Sequence, residues 1–329
     1  MLSAVKIGEE SSRILSRRLT SGYVYDPDHR QHPEGGGWHK TDRGWSDCPR
    51  GKSSDGAADF KRRLLPKLNR LMDKTTIAPD VEARLKMLEH STAVAQRKHK
   101  MYEALMEIDD RMPDDDRGFY VKQAFFQALE KQQDYVVEQF GANDGVEIRT
   151  PSVGETDDRG ERAFDFVGKI VSRKVIPDGT PGPKISWVEE NRHIEGLHNA
   201  REYFKDGTLY MRFDDSEVER WCHELGHWIE WSNPELQRKC KEFLDYRTEG
   251  KPLVRFKNEG QDIYKEHEVY KDGGFPEKYC GYIYSDVSNP NATEILSMGL
   301  EMLSLDPWRF YNDDKQYFCF VVGLLRGEL

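Results

Sequence analysis

No stretch of this chain is apolar enough to span a bilayer. The longest apolar run, "YFCFVVGLL" near the C-terminus, has nine residues, against the ~20 that a membrane helix needs. It reads as a buried terminal helix. The opening "MLSAVKIGEESSRILSRRL" lacks the sustained apolar core of a secretory signal. Cysteine is scarce: Cys48, Cys222, Cys240, Cys280 and Cys319 are odd in number and form no CxxC pair. A reduced, cytoplasmic protein is the simplest expectation. A basic excess is missing as well. Lys and Arg total 49 against 59 Asp and Glu, a net charge of −10, which disfavours a general nucleic-acid binder. The local basic groups Lys61-Arg62-Arg63 and Arg97-Lys98 with Lys100 read as solvated helix faces. Apolar residues make up only 37%, yet seven Trp and fifteen Tyr argue for a real core and against wholesale disorder.

Three textures follow one another. Residues 1–58, with "YDPDHRQHPEGGGWHKTDRGWSDCPRGKSSDG", read as an irregular Gly/Asp-rich arm. Its His29, His32, His39 and Cys48 show no zinc spacing, and Trp38 and Trp45 are candidates to dock the arm on another surface. Residues 59–145 read as an α-helical region with segments Asp59–Asp73, Pro79 to about Asp109, and Asp116 to Gly141. Long charged helices of this kind suggest packing against each other or against a protein partner. Residues 146–329 read as α+β. "GVEIRT", "ERAFDFVGKIVSRKVI" and "PKISWVEE" have strand character, and "REYFKDGTLYMRF" reads as two strands around an Asp206-Gly207 turn.

The chemistry sits in "CHELGHWIEW", Cys222 to Trp231. Asp214, Asp215 or Ser216 can cap this helix, and Asn233-Pro234 ends it. Val218, Cys222, Leu225 and Ile229 form one apolar stripe. His223 and His227 are four apart on an adjacent face, so two imidazole nitrogens can converge on one ion. Glu224 projects beside them, placed to take a proton from metal-bound water. The small Gly226 allows a close approach of backbone or substrate. A third ligand is needed. The helix "TEILSMGLEMLSL" is apolar nearly all round and carries two charges, Glu294 and Glu301, seven apart on one face. Buried carboxylates are costly unless paired or metal-bound. Glu294, at the helix start, is favoured as ligand. Glu301 is the rival, as a ligand or as an outer partner of a ligating histidine. His267 and Glu268 are weaker rivals.

His223-Glu224-x-x-His227 followed by a buried helix with a glutamate resembles the gluzincin zinc metallopeptidases. Glu294-Ile-Leu-Ser297 resembles the last ligand helix of the anthrax lethal-factor-like peptidases. "TEILSMGLEMLSLDPWRFYNDDKQYFCFVVGLLRG" is similar to the C-terminus of zincin-like proteins of phages and other mobile elements, some of them beside head-morphogenesis genes. The resemblance covers about residues 200–329. It implies a zincin-like fold, bound Zn²⁺, ligands His223, His227 and Glu294 (or Glu301), Glu224 as base, and a polypeptide substrate. Such peptidases often add an oxyanion-stabilising phenol, for which Tyr282 and Tyr284 are preferred over Tyr279. "DGTLYMRF" would be the strand leading into the histidine helix, in a region where zincins pair an edge strand with substrate. The alternative is a phage or mobile-element morphogenesis protein, virion-associated, with a structural or vestigial zinc site. A toxin or effector that cleaves one host protein is a third option.

Overall fold

The computed structural model describes residues 23–25, 38–40, 53–108, 116–148, 157–187, 203–205, 207–211, 217–256, 268–284 and 292–329. Two compact units share the chain, each assembled from two pieces. One comprises 1–63 and 238–293, the other 64–237 and 294–329.

The first unit opens with a short antiparallel ladder, β1 (Tyr23–Tyr25) and β2 (Trp38–Lys40). The arm is therefore not irregular throughout. His29, His32, Trp45 and Cys48 lie outside the described residues. Helix α1 (Ser53–Asp59) continues into a π-helical stretch, Phe60–Leu64. Phe60 stacks on Tyr246 and tilts against Phe243. Arg63 makes a two-pronged ion pair with Glu242, at 2.9 and 3.1 Å, and Lys61 pairs with Glu249. The basic triplet is thus a solvent-exposed face, as the sequence suggests, and it is ion-paired as well.

In the second unit, α3 (Pro79–Ile108) and α4 (Asp116–Phe140) match the expected helical segments closely, whereas the segment expected at Asp59–Asp73 begins earlier, in α1, and reaches α2 (Leu65–Lys74) through the π-helical stretch. Helix α5 (Asp158–Ile170) overturns a strand expectation. "ERAFDFVGKI" is helical because Asp157 caps it, accepting from the Gly160 amide at 2.7 Å. Ala163, Phe164, Phe166, Val167 and Ile170 are all buried, a period of 3.6 and not 2. "GVEIRT" also falls short of a strand among the described residues, leaving a single bridge, Gly145 to Ser172.

A three-stranded sheet follows: β3 (Lys184–Trp187), β4 (Tyr203–Lys205) and β5 (Thr208–Met211), in the order β3-β5-β4. β4 and β5 form the expected hairpin, Lys205 opposite Thr208, and Gly207 supplies the positive φ of +79° that its turn demands. β3 pairs β5 in parallel. The strand "TLYM" is therefore central, with its backbone engaged on both sides. Within this sheet, β3 and β4 are the edge strands among the described residues.

Helix α6 (Val218–Ser232) packs on this sheet and on α5. Its core face is the predicted stripe, with Val218, Cys222, Leu225 and Ile229 fully buried. The capping residues expected at 214–216 lie outside the described residues; Glu217 occupies the N-cap position. Asn233 does end α6, and its side chain then caps α7 (Pro234–Arg247), accepting from the amides of Glu235 and Leu236 at 3.1 Å. Most of α7 belongs to the first unit, as do β6 (Leu253–Arg255), β7 (Val269–Lys271) and β8 (Tyr282–Ile283), an antiparallel sheet in that order.

The chain returns to the second unit with α8 (Ile295–Leu305), α9 (Pro307–Asp313) and α10 (Lys315–Leu325). As expected, α8 and α10 are buried almost all round. Phe310 meets Tyr317 and Phe318 edge-on, and Phe318 does the same to Phe140. The fold is mixed helix and small sheet, dominated by helix. Among the described residues no helix is long and apolar enough to cross a membrane.

A candidate metal centre between two helices

Within the second unit, α6 packs extensively against α8. Gly226 makes the approach possible. A Cβ built there would stand 2.5 Å from the Ser297 Cα and 2.8 Å from its nitrogen. The small residue expected to admit a backbone therefore admits that of α8. This contact brings the start of α8 over the two histidines.

Glu294 occupies the N-cap position of α8, but its side chain makes no capping bond. Its Oε2 lies 3.3 Å from His223 Nε2 and 3.2 Å from His227 Nε2. Ser297 donates its hydroxyl to the same oxygen at 2.8 Å. Glu294 is 1% exposed. Among the described residues, His223, His227 and Glu294 are the one group whose donor atoms all lie within 4.8 Å.

These distances fit a tetrahedral ion. Zinc bonds of about 2.05 Å place neighbouring ligand atoms about 3.3 Å apart along a tetrahedron's edge. The two His–Glu separations have that length. Behind His223, its Nδ1 lies 2.9 Å from Glu301 Oε2. An Nδ1–H donated to this carboxylate leaves the Nε2 lone pair facing Glu294 and any ion there. Arg220 sits 3.5 Å from the same Glu301 oxygen. Glu294 thus faces the Nε2 atoms of both histidines, and Glu301 meets His223 from its other nitrogen.

The electrostatics favour a cation. Burial works to depress the His223 imidazole, but its bonds with Glu294 and Glu301 outweigh that and hold it well above the ordinary range. Burial likewise opposes a charge on His227, and the Glu294 charge beside it prevails and raises it. Glu294 is held low in spite of its burial, by the charge of His227 and the bond to His223. Glu301 is lowered despite burial too, by its bond to His223. Without an ion, protons on the rings balance the carboxylates; an ion binding there would displace them. Glu224 is buried next to His223, and its charge acts on both imidazoles. Cys222 points into the core, where burial keeps its thiol protonated.

Tyr282 and Tyr284 belong to the first unit. There the Tyr282 ring packs on Phe256, Tyr279 and Tyr284, and its hydroxyl lies 3.5 Å from Glu268. His267 lies outside the described residues. Two residues near the cluster went unmarked in the sequence, Arg220 and Glu230. Glu230 could have been found as the lone carboxylate among the apolar residues that follow His227 in "HWIEW". No family model matches the chain, and no curated protein or solved structure matches it.

Proposed function

We propose that this chain is a zinc-dependent metallopeptidase of the gluzincin kind, with a zincin-like fold, acting on a polypeptide. One observation carries the reading. Two histidines of an HExxH helix and a carboxylate from a second helix converge at tetrahedral spacing, with Glu224 buried beside them. His223, His227 and Glu294 would hold the metal, which when bound supplies Lewis acidity toward a carbonyl and acidifies water.

The chain's own groups do the rest. The Glu224 carboxylate accepts a proton from the attacking water as its oxygen bonds to the scissile carbon. It then delivers that proton to the leaving nitrogen as the C–N bond breaks. Glu301 fixes the His223 tautomer through Nδ1.

The rival reading, a morphogenesis protein with a structural or vestigial site, draws on a different observation. Met101 and Leu105 on α3 and Phe119 and Tyr120 on α4 are large, apolar and exposed, and available to a protein partner. Under either reading the protein would work in the cytoplasm or in a virion.

Glu224→Gln discriminates. It keeps the size of the side chain but cannot accept the proton. The variant should fold, retain zinc and lose hydrolysis by at least ~10²–10⁴-fold. The comparison is made in cells, following cleavage of co-expressed proteins and formation of particles or complexes. Identical cleavage by wild type and variant would sink the catalytic role of Glu224, and unchanged assembly would then favour the scaffold.

A further inference from the structure

The start of α8 raises a question of capping. An α-helix leaves its first amides without intrahelical partners, and the N-cap side chain ordinarily serves the second or third of them. At α8 the N-cap residue is Glu294, whose carboxylate is turned to His223, His227 and Ser297. The second helical amide, Leu296 N, is buried and needs an acceptor. It finds one on the facing helix: Glu230 Oε1 accepts from Leu296 N at 3.2 Å. Glu230 is 2% exposed, so its carboxyl group bears the cost of burial away from water. The positive end of the α8 dipole offsets that cost.

The far end of α8 is served in the same manner. Gln132 of α4 donates its Nε2 to the carbonyls of Ser304 and Leu305, at 3.2 and 2.6 Å. Thus α8 is held at both ends by side chains of other helices. Glu230 lies three residues beyond His227, so α6 carries both histidines and also the cap of the helix that presents Glu294.

We infer that Glu230 is a positioning residue for the metal centre: by capping α8 in place of Glu294, it frees the Glu294 carboxylate and holds it against the two histidines. The inference rests on the proposed metal reading for its consequence, and on the α8 contact alone for its geometry.

The test separates the two. In metal-free protein, hydrogen exchange at the Leu296 amide should accelerate at least tenfold in Glu230→Ala relative to neighbouring α8 amides. Glu230→Gln, which retains an acceptor oxygen, should stay within about threefold of wild type. Zinc affinity, measured by competition with a chromophoric chelator, should fall by the ~10–100-fold typical of outer-shell partners in Glu230→Ala, and recover most of the loss in Glu230→Gln. Leu300→Ala, a core truncation on the same helix, controls for general destabilisation and should leave the affinity of the folded protein near wild type. Should Glu230→Ala fail to fold, Glu230→Gln and Glu230→Leu carry the comparison. Unchanged Leu296 exchange in the folded variants overturns the cap. Faster exchange with unchanged zinc affinity overturns the positioning role. A wild type that binds no zinc, yet shows the exchange effect, overturns the metal reading and leaves the cap standing.

Discussion

Gly226→Ala subjects the α6–α8 contact to the smallest possible wedge. The new Cβ would stand 2.5 Å from Ser297 Cα, 2.8 Å from Ser297 N and 3.1 Å from the Leu296 carbonyl carbon, all main-chain atoms; ordinary contact begins at 3.4 Å. The obstacle is backbone, so no side chain can rotate away. Helix α8 must retreat by roughly 0.9 Å, because packed interiors hold no slack to absorb it. Overpacking of this kind costs about 1–3 kcal/mol, and alanine's better helix propensity returns about 1 kcal/mol. The net loss of roughly 0–2 kcal/mol leaves the protein folded. The site fares worse. Glu294 travels with α8, and its 3.2 and 3.3 Å separations from the histidines stretch toward about 4 Å, past the ~3.3 Å edge that zinc bonds allow. Zinc affinity should fall by more than the ~10–100-fold of an outer-shell change, with a modest shift in the urea midpoint of the metal-free protein. Chelator competition reads the first quantity and equilibrium unfolding the second. A folded variant with wild-type zinc affinity would refute the claim that this glycine sets the ligand geometry.

Glu294→Ala should weaken zinc binding more than Glu301→Ala, since one removes a ligand and the other the ~10–100-fold contribution of a partner behind it; titration of both variants in the same competition assay decides, and the reverse order would make Glu301 the ligand. Burial, and then the charge of Glu217, raise Glu219 on α6 to about 7 from an ordinary 4.5. The folded protein holds that proton while the unfolded chain has already released it, so stability declines as pH climbs from 4.5 through 7, by roughly 3 kcal/mol. Glu219→Gln should remove this decline, and its advantage over wild type in urea unfolding with chelator should grow between pH 5 and pH 8. Parallel pH profiles for the two proteins would contradict it.

Much of the centre was legible because its parts are local. A histidine pair at i and i+4 with a glutamate between is a one-turn geometry that survives any tertiary arrangement. Glu294 and Glu301 stood out as two charges on an otherwise apolar helix, and their seven-residue spacing already placed them on one face. What the sequence could not apportion was which carboxylate meets Nε2 and which meets Nδ1, because that depends on how α8 crosses α6. The cap by Glu230 was hidden for the same reason, since its partner amide lies 66 residues away. The α5 misreading had a different origin. Phenylalanine and valine are at home in strands, and the deciding signals were the Asp157 cap and a buried face repeating every three to four residues.

The two units interleave along the chain, and this bears on when the centre can exist. His223 and His227 are synthesised well ahead of Glu294, and the excursion 238–293 between them belongs to the other unit, which in turn draws on 1–63. A nascent chain halted anywhere in that excursion has two donors and no third. Once Glu294 arrives, an ion held by all three side chains would favour the folded chain by mass action, because the unfolded chain does not gather the three donors. Metal loading would then mark chains translated past Glu294, and truncated products would be both unloaded and less stable.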